Sequence, residues 1–100
     1  MNKRWYDVDP TVSLAVSLMR NSNIITQYRC ADIIVSKSKN NGIDLSENIL
    51  TDAFNYVLRR WYDTDQKIAE SFEYLKQMPE TLQKETALDI INFLQEEEAR

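Results

Sequence analysis

The stretch that decides the fold is a hexapeptide, Arg-Trp-Tyr-Asp-x-Asp, which stands at residues 4–9 and again at residues 60–65. Its members are Arg4, Trp5, Tyr6, Asp7 and Asp9 in the first occurrence and Arg60, Trp61, Tyr62, Asp63 and Asp65 in the second. The chain has only two Trp and five Tyr residues, so chance does not explain a string that uses both types twice. The offset of 56 positions therefore indicates an internal repeat that arose by duplication.

Apolar positions beyond the hexapeptide also match at the offset of 56. The matched pairs are Val12 with Ile68, Val16 with Phe72, Met19 with Leu75, Ala31 with Ala87, Ile34 with Ile90 and Val35 with Ile91. In each copy these residues keep the spacing of three or four that is typical of one face of a helix. We therefore predict two degenerate helix hairpins, the first over about residues 4–39 and the second over about residues 60–97.

Capping signals divide each copy into two helices. Asp9 followed by Pro10 predicts a helix over about 10–21, because Asp is a strong N-cap and Pro suits the first helical position. A polar turn at 21–23 leads to a second helix over about 24–39, which Gly42 ends. The second copy has helices over about 66–77 (capped by Asp63 or Asp65) and about 79–97. Apolar spacing predicts a connecting helix over about 46–62, so that five helices form one all-α domain over residues 1–100.

Composition agrees with this fold class and also bears on the partners and the cellular compartment of the protein. One Gly and two Pro are too few for a turn-rich β fold. A formal charge of −4 without a basic patch argues against a nucleic-acid partner, and no apolar run is long enough to cross a membrane. No signal peptide is recognisable, and the lone Cys30 predicts no disulfide. These features predict a cytoplasmic protein.

Most catalytic chemistries lack their usual residues in this chain. It has no His, which removes the commonest general base and metal ligand at neutral pH. Its single glycine, Gly42, excludes a Gly-rich phosphate loop, and Cys30 lies among apolar residues, where a thiol is normally inert. We expect a protein that is not an enzyme, with no catalytic residue, cofactor or metal.

The repeated hexapeptide admits a structural and a functional interpretation. In the structural one, an Asp caps the following helix, while the Trp and Tyr pack across the entry to that helix. In the functional one, Asp7, Asp9, Asp63 and Asp65 converge on a divalent cation. Capping carboxylates face backbone N–H groups and the positive end of the helix dipole, where a cation is disfavoured, so we favour the structural interpretation.

The first two predicted helices are apolar around most of their circumference, in contrast to those of the second copy. Leu14 and Leu18, for example, correspond to Glu70 and Tyr74. Either these helices form a central hairpin that the others surround, or they also bury surface against another chain. We take Leu14, Leu18, Ile25 and Ile33 as the candidate interaction surface.

The function that this pattern favours is a small interaction or scaffold module that binds a protein partner or a second copy of itself. The alternative is a protein that binds a ligand or a divalent ion at the duplicated Asp-rich helix entrances. These two functions make different predictions for the four Asp residues, which are caps in the first and ligands in the second.

Overall fold

The computed structural model describes residues 5–7, 9–45 and 61–98, with the backbone alone for 63 and 64. These ranges form four α-helices and no strand, which confirms the predicted all-α class. The helices are α1 (Pro10–Arg20), α2 (Ile24–Asn40), α3 (Gln66–Gln77) and α4 (Glu80–Glu98). A 3-10 turn covers part of each hexapeptide, at Trp5–Asp7 and at Trp61–Thr64. Residues 46–60, most of the predicted connecting helix, lie outside the described residues.

Two aspartates begin the helices that follow the hexapeptides. Asp9 is the N-cap of α1, and its side chain accepts hydrogen bonds from the backbone N–H groups of Thr11 at 2.7 Å and Val12 at 3.3 Å. Asp65 is the N-cap of α3 and accepts from the N–H of Ile68 at 3.2 Å. The predicted starts of both helices are thus confirmed, and Asp65 rather than Asp63 is the second cap.

Gly42 ends α2 as the sequence predicts. It has a φ of +80°, in the left-handed region that glycine enters without steric cost. The N–H of Gly42 donates to the carbonyl of Lys39 at 3.1 Å, and the N–H of Ile43 donates to that of Ser38 at 2.9 Å. This pair of bonds is the Schellman motif, which satisfies carbonyl groups that the end of a helix otherwise leaves without donors.

The helices of the two hairpins pack mainly against helices of the opposite hairpin and not against each other. Helix α1 makes its most extensive contacts with α4, and α2 makes its most extensive contacts with α3, whereas α1 and α2 touch each other much less. Among the described helices, α1 and α2 therefore do not form a closely packed central pair. Each helix instead covers the apolar face of a helix in the other half, because one hairpin alone leaves those faces exposed to water.

The core repeats the offset of 56 seen in the sequence. The pairs buried in both halves are Tyr6 and Tyr62, Val12 and Ile68, Ala15 and Ser71, Val16 and Phe72, Met19 and Leu75, Cys30 and Thr86, Ala31 and Ala87, Ile34 and Ile90, and Ser38 and Leu94. None of the described helices is long and apolar enough to cross a lipid bilayer.

Candidate functional site

The two hexapeptides meet in an aromatic cluster made of Trp5, Tyr6, Trp61, Tyr62 and Phe72. The indole N–H of Trp5 donates to the hydroxyl of Tyr62 at 3.3 Å. The ring of Phe72 lies edge-to-face against those of Tyr62 (centroids 4.4 Å apart), Trp61 (5.4 Å) and Trp5 (6.3 Å). Such aromatic pairs add about 0.5–1.5 kcal/mol each beyond the burial of their area. The cluster therefore joins the two halves, a role that the sequence interpretation, which placed each Trp and Tyr at its own helix entry, missed.

The carboxylate of Asp9 is held by donors on two sides. Besides its two backbone bonds, it lies 3.7 Å from the ammonium nitrogen of Lys84 on α4. Burial by itself raises the pKa of Asp9, but the bonds from Thr11 and Val12 and the charge of Lys84 outweigh burial and lower it. Asp9 is thus a charged cap that also contacts the opposite half of the molecule.

Asp65 has the corresponding role at the start of α3. One carboxylate oxygen caps the helix, while the other accepts a hydrogen bond from the hydroxyl of Tyr28 on α2. That hydrogen bond raises the pKa of Tyr28, and burial and the negative charge of Asp65 raise it further. Tyr28 and Lys84 stand 56 positions apart, so each capping Asp contacts the same position of the opposite hairpin.

A second pair of contacts shows the same correspondence. The side-chain amide of Gln27 donates to the carbonyl of Met19 at 3.0 Å and reaches that of Arg20 at 3.5 Å. The amide of Gln83 donates to the carbonyls at the equivalent positions, Leu75 at 3.0 Å and Lys76 at 3.3 Å. Each Gln therefore caps the C-terminal end of the preceding helix in its hairpin by donating to carbonyl groups of its last turn.

The described aspartates of the hexapeptides do not gather around a common point. Asp7 accepts a hydrogen bond from the hydroxyl of Ser13 at 3.0 Å, while Asp9 and Asp65 face the donors given above. Among the residues that the structure describes, no three His, Cys, Asp or Glu side chains are arranged to hold a metal ion. Arg4, Arg60 and the side chain of Asp63 lie outside the described part of the chain.

The four residues of the candidate interaction surface differ in exposure. Leu14 and Ile25 are exposed by 50% and 64%, whereas Leu18 and Ile33 are only partly exposed because they pack against the core. A further leucine, Leu88 on α4, is 49% exposed. Sequence reasoning missed Leu88. The signal that could have found it is the alignment at the offset of 56, where Leu88 corresponds to the charged Asp32.

Ion pairs and hydrogen bonds show the relative directions of α1, α2 and α4. Arg29 pairs with Glu97 at 3.2 Å and Lys37 pairs with Asp89 at 3.0 Å, which shows that α2 and α4 are antiparallel. The hydrogen bond from the side-chain amide of Gln27 to the carbonyl of Met19 places the end of α1 beside the start of α2. Because the start of α2 lies near Glu97, the end of α1 lies toward the C-terminal end of α4. Since Asp9 places the start of α1 beside Lys84, α1 and α4 run in the same direction.

This register brings Leu14 and Leu88 to the same level of the helix pair. Leu14 lies about 7.5 Å beyond Asp9 along α1, and Leu88 lies about 6 Å beyond Lys84 along α4, at 1.5 Å per residue. We name the surface around these two leucines the α1–α4 face. The equivalent positions on α3 and α2 carry Glu70 and Asp32, and Asp32 pairs there with Lys67 at 2.9 Å. An exposed position on α1 and one on α4 thus carry leucine where the corresponding positions on α3 and α2 carry a carboxylate.

Cys30 is buried in α2, as predicted. Burial, together with the negative charge of Glu97, raises the pKa of its thiol to about 12. A thiol in this environment stays protonated at neutral pH and is a poor nucleophile.

Comparison of this chain with protein-family models, with curated proteins and with solved structures found no match.

Proposed function

We propose that this protein is a non-enzymatic helical interaction module of the cytoplasm that pairs with a second copy of itself through the α1–α4 face. We take its two halves as diverged copies of one helix hairpin, in which Leu14 and Leu88 each correspond to an acidic residue of the other copy, Glu70 and Asp32. The observation that carries the proposal is this pair of half-exposed leucines at one level of neighbouring helices. Single exposed leucines are ordinary on a protein surface, so the proposal depends on both leucines belonging to one interface.

A second copy is the partner that this face fits best. A twofold axis through the α1–α4 face brings the same patch of both molecules together, as in most homodimers. The leucines are uncharged, so the same apolar surface can meet itself across the axis without an unpaired charge.

The size of the patch limits how tight the dimer is. Complete burial of a leucine contributes about 1.5–3 kcal/mol, so two half-exposed leucines on each subunit supply about 4 kcal/mol in total. Partly exposed neighbours, including Leu18 and Ile91, add to this, while the loss of free translation and rotation subtracts from it. We take the gain from these neighbours and the association cost as similar in size, and therefore expect a weak dimer with a Kd of about 1 mM.

Sedimentation equilibrium from 10 μM to 2 mM protein tests the proposal. The double variant L14E/L88D places on this face the residues that the α3–α2 face already carries, so we expect a folded monomer. The matched control I25T also replaces an exposed isoleucine with the residue found 56 positions later, Thr81, and should dimerise like the wild type. A wild type that stays monomeric at 2 mM, or a double variant that dimerises equally well, contradicts the proposal.

The divalent-ion alternative makes a separate prediction. If Asp9 and Asp65 are caps, titration with Mg²⁺, Mn²⁺ or Ca²⁺ gives no saturable heat, and D9N and D65N change only stability. Saturable heat that both variants abolish favours the ion-binding function instead.

A further inference from the structure

Each hairpin holds its own turn but buries little of its own surface. The side chains of Gln27 and Gln83 cap the preceding helix within their own hairpins. Beyond those turns, α1 and α2 make few contacts with each other, and α3 and α4 make fewer still. Among the described residues, the apolar faces of one hairpin are therefore covered mainly by the helices of the other.

Polar contacts cross the same boundary between the hairpins. The hydroxyl of Tyr28 donates to Asp65, and the indole N–H of Trp5 donates to the hydroxyl of Tyr62. Five ion pairs also join the two hairpins, namely Asp9 with Lys84, Arg29 with Glu97, Asp32 with Lys67, and Lys37 with both Glu85 and Asp89. The boundary is thus built like an interface between two molecules, with an apolar centre and charged pairs around it.

The two parts of this boundary are equivalent. Helix α1 lies on α4 as α3 lies on α2, so each pairing joins the first helix of one hairpin to the second helix of the other. The first hairpin of one molecule can therefore meet the second hairpin of another through the same residues that meet within one molecule. No new complementarity has to arise, which makes the swapping of an element between identical chains a low-cost route to a dimer.

We propose that two copies of this chain swap hairpins and form a dimer in which the first hairpin of each molecule binds the second hairpin of the other. The 15 residues from 46 to 60 join the hairpins along the chain. A segment of that length reaches up to about 50 Å, which is longer than a domain of this size is wide, so it permits either connection. Leu14 and Leu88 lie outside the swapped boundary, so this dimer does not depend on the one proposed above.

Protein concentration during folding decides between the monomer and the swapped dimer. Segments that a short flexible linker joins have an effective concentration in the millimolar range, so a second molecule competes only when the protein is about as concentrated. The wild type, unfolded in urea and refolded at about 1 mM, should elute as a dimer when diluted to about 20 μM, whereas refolding at about 10 μM should give monomer. The swapped dimer survives dilution because its hairpins separate only by unfolding. The dimer through the α1–α4 face, with its Kd of about 1 mM, is dissociated at that concentration.

Complementary charge changes test which hairpins pair. K37E brings three carboxylates together and E85K/D89K brings three ammonium groups together, so each variant alone contains repulsion between its own hairpins. In a swapped heterodimer, both of these sites contain opposite charges. When the two variants are unfolded together and refolded at about 1 mM, native mass spectrometry should show at least about fivefold more heterodimer than homodimer of either variant.

Two further mixtures make the result decisive. K39E mixed with E85K/D89K is the matched control and should show no preference for the heterodimer, because Lys39 forms no ion pair with the carboxylates that the structure describes. R29E mixed with E97R changes a more exposed ion pair, in case the changes around Lys37 perturb folding, and should also favour the heterodimer. The inference is overturned if the wild type refolded at about 1 mM elutes as a monomer, or if neither test mixture forms more heterodimer than the control mixture.

Discussion

The hydroxyl of Tyr28 on α2 donates a hydrogen bond to one carboxylate oxygen of Asp65, and the other carboxylate oxygen of Asp65 caps α3. This contact joins residues 37 positions apart and fixes the start of one hairpin's first helix against the other hairpin. The equivalent position opposite Asp9 carries Lys84, with its ammonium nitrogen 3.7 Å from the carboxylate. Each capping Asp thus combines a local role, which begins a helix, with a long-range role, which positions that helix.

The two roles of Asp65 predict different effects of two substitutions. D65A removes the cap and the acceptor of Tyr28, and it should lower the free energy of unfolding by about 1–2 kcal/mol. D65N should cost less, because Asn is an equally good N-cap and still accepts from the tyrosine. Urea denaturation measures both, with E96A as a control at an exposed carboxylate, where we expect a change within about 0.5 kcal/mol.

The link to Tyr28 can be isolated with a double-mutant cycle. The effects of Y28F and D65A should not be additive, since either change alone breaks the same hydrogen bond. If the two effects add within experimental error, the contact does not couple α2 to α3.

Gln27 and Gln83 provide a direct comparison of the two halves. Each side-chain amide closes the end of the preceding helix through carbonyl groups at equivalent positions. Q27A and Q83A should therefore lower the free energy of unfolding by similar amounts, about 0.5–1.5 kcal/mol each. Chemical denaturation of both variants, beside the exposed control Q95A, checks this. A large loss at one position and none at the other shows that the two contacts are not equivalent.

Signals that act within one turn of a helix were readable from the sequence. The Asp9 cap and the Gly42 terminator involve residues only a few positions apart, so residue type and spacing predict them. For the second copy, spacing alone left Asp63 and Asp65 as alternatives, and the structure shows that Asp65 is the cap. The packing of each helix against the opposite hairpin was not readable in this way, because apolar faces of similar width pack equally well on any of several neighbours. The same is true of the bond from Trp5 to Tyr62, which depends on how the two hexapeptides approach each other.

The candidate surface was predicted only in part for the same physical reason. Helical periodicity identifies which residues lie on one face, but exposure depends on the helix that covers the face. Leu18 and Ile33 are therefore partly covered, while Leu14 and Ile25 stay exposed. Leu88 lies at the level of Leu14 only because α1 and α4 run in the same direction, which no local pattern indicates.

The thiol of Cys30 should be unreactive in the folded protein. It is buried, and its pKa is raised to about 12, so the thiolate is almost absent at pH 8. We expect a thiol-specific reagent to label Cys30 at a rate limited by unfolding, and rapidly in 6 M guanidinium chloride (about the concentration that unfolds most domains). Fast stoichiometric labelling of the native protein at pH 8 contradicts this arrangement.

Lys37 gives the fold a dependence on alkaline pH whose sign follows from its pKa. Its ammonium group pairs with Glu85 at 2.8 Å and with Asp89 at 3.0 Å, joining α2 to α4. The hydrogen bond to Glu85 and then that to Asp89 raise the pKa of Lys37 above its usual 10.5, against the smaller opposing effect of burial. A group with a raised pKa in the folded state stabilises the fold fully below the pKa of the unfolded chain. That stabilisation is lost as the pH rises through the folded-state value.

The difference in stability between the wild type and K37M should consequently be constant from pH 7 to 9 and should shrink above pH 10.5. Comparison with K37M removes the contribution of Tyr28, whose pKa is also raised and which titrates in the same alkaline range in both proteins. The exposed Lys39 in the same last turn forms no ion pair with the carboxylates that the structure describes, so K39M should follow the wild type in parallel at every pH. Urea denaturation at half-unit intervals from pH 7 to 11.5 measures the three curves. A wild-type advantage over K37M that is as large at pH 11.5 as at pH 8 means that the ammonium group of Lys37 is not what joins α2 to α4.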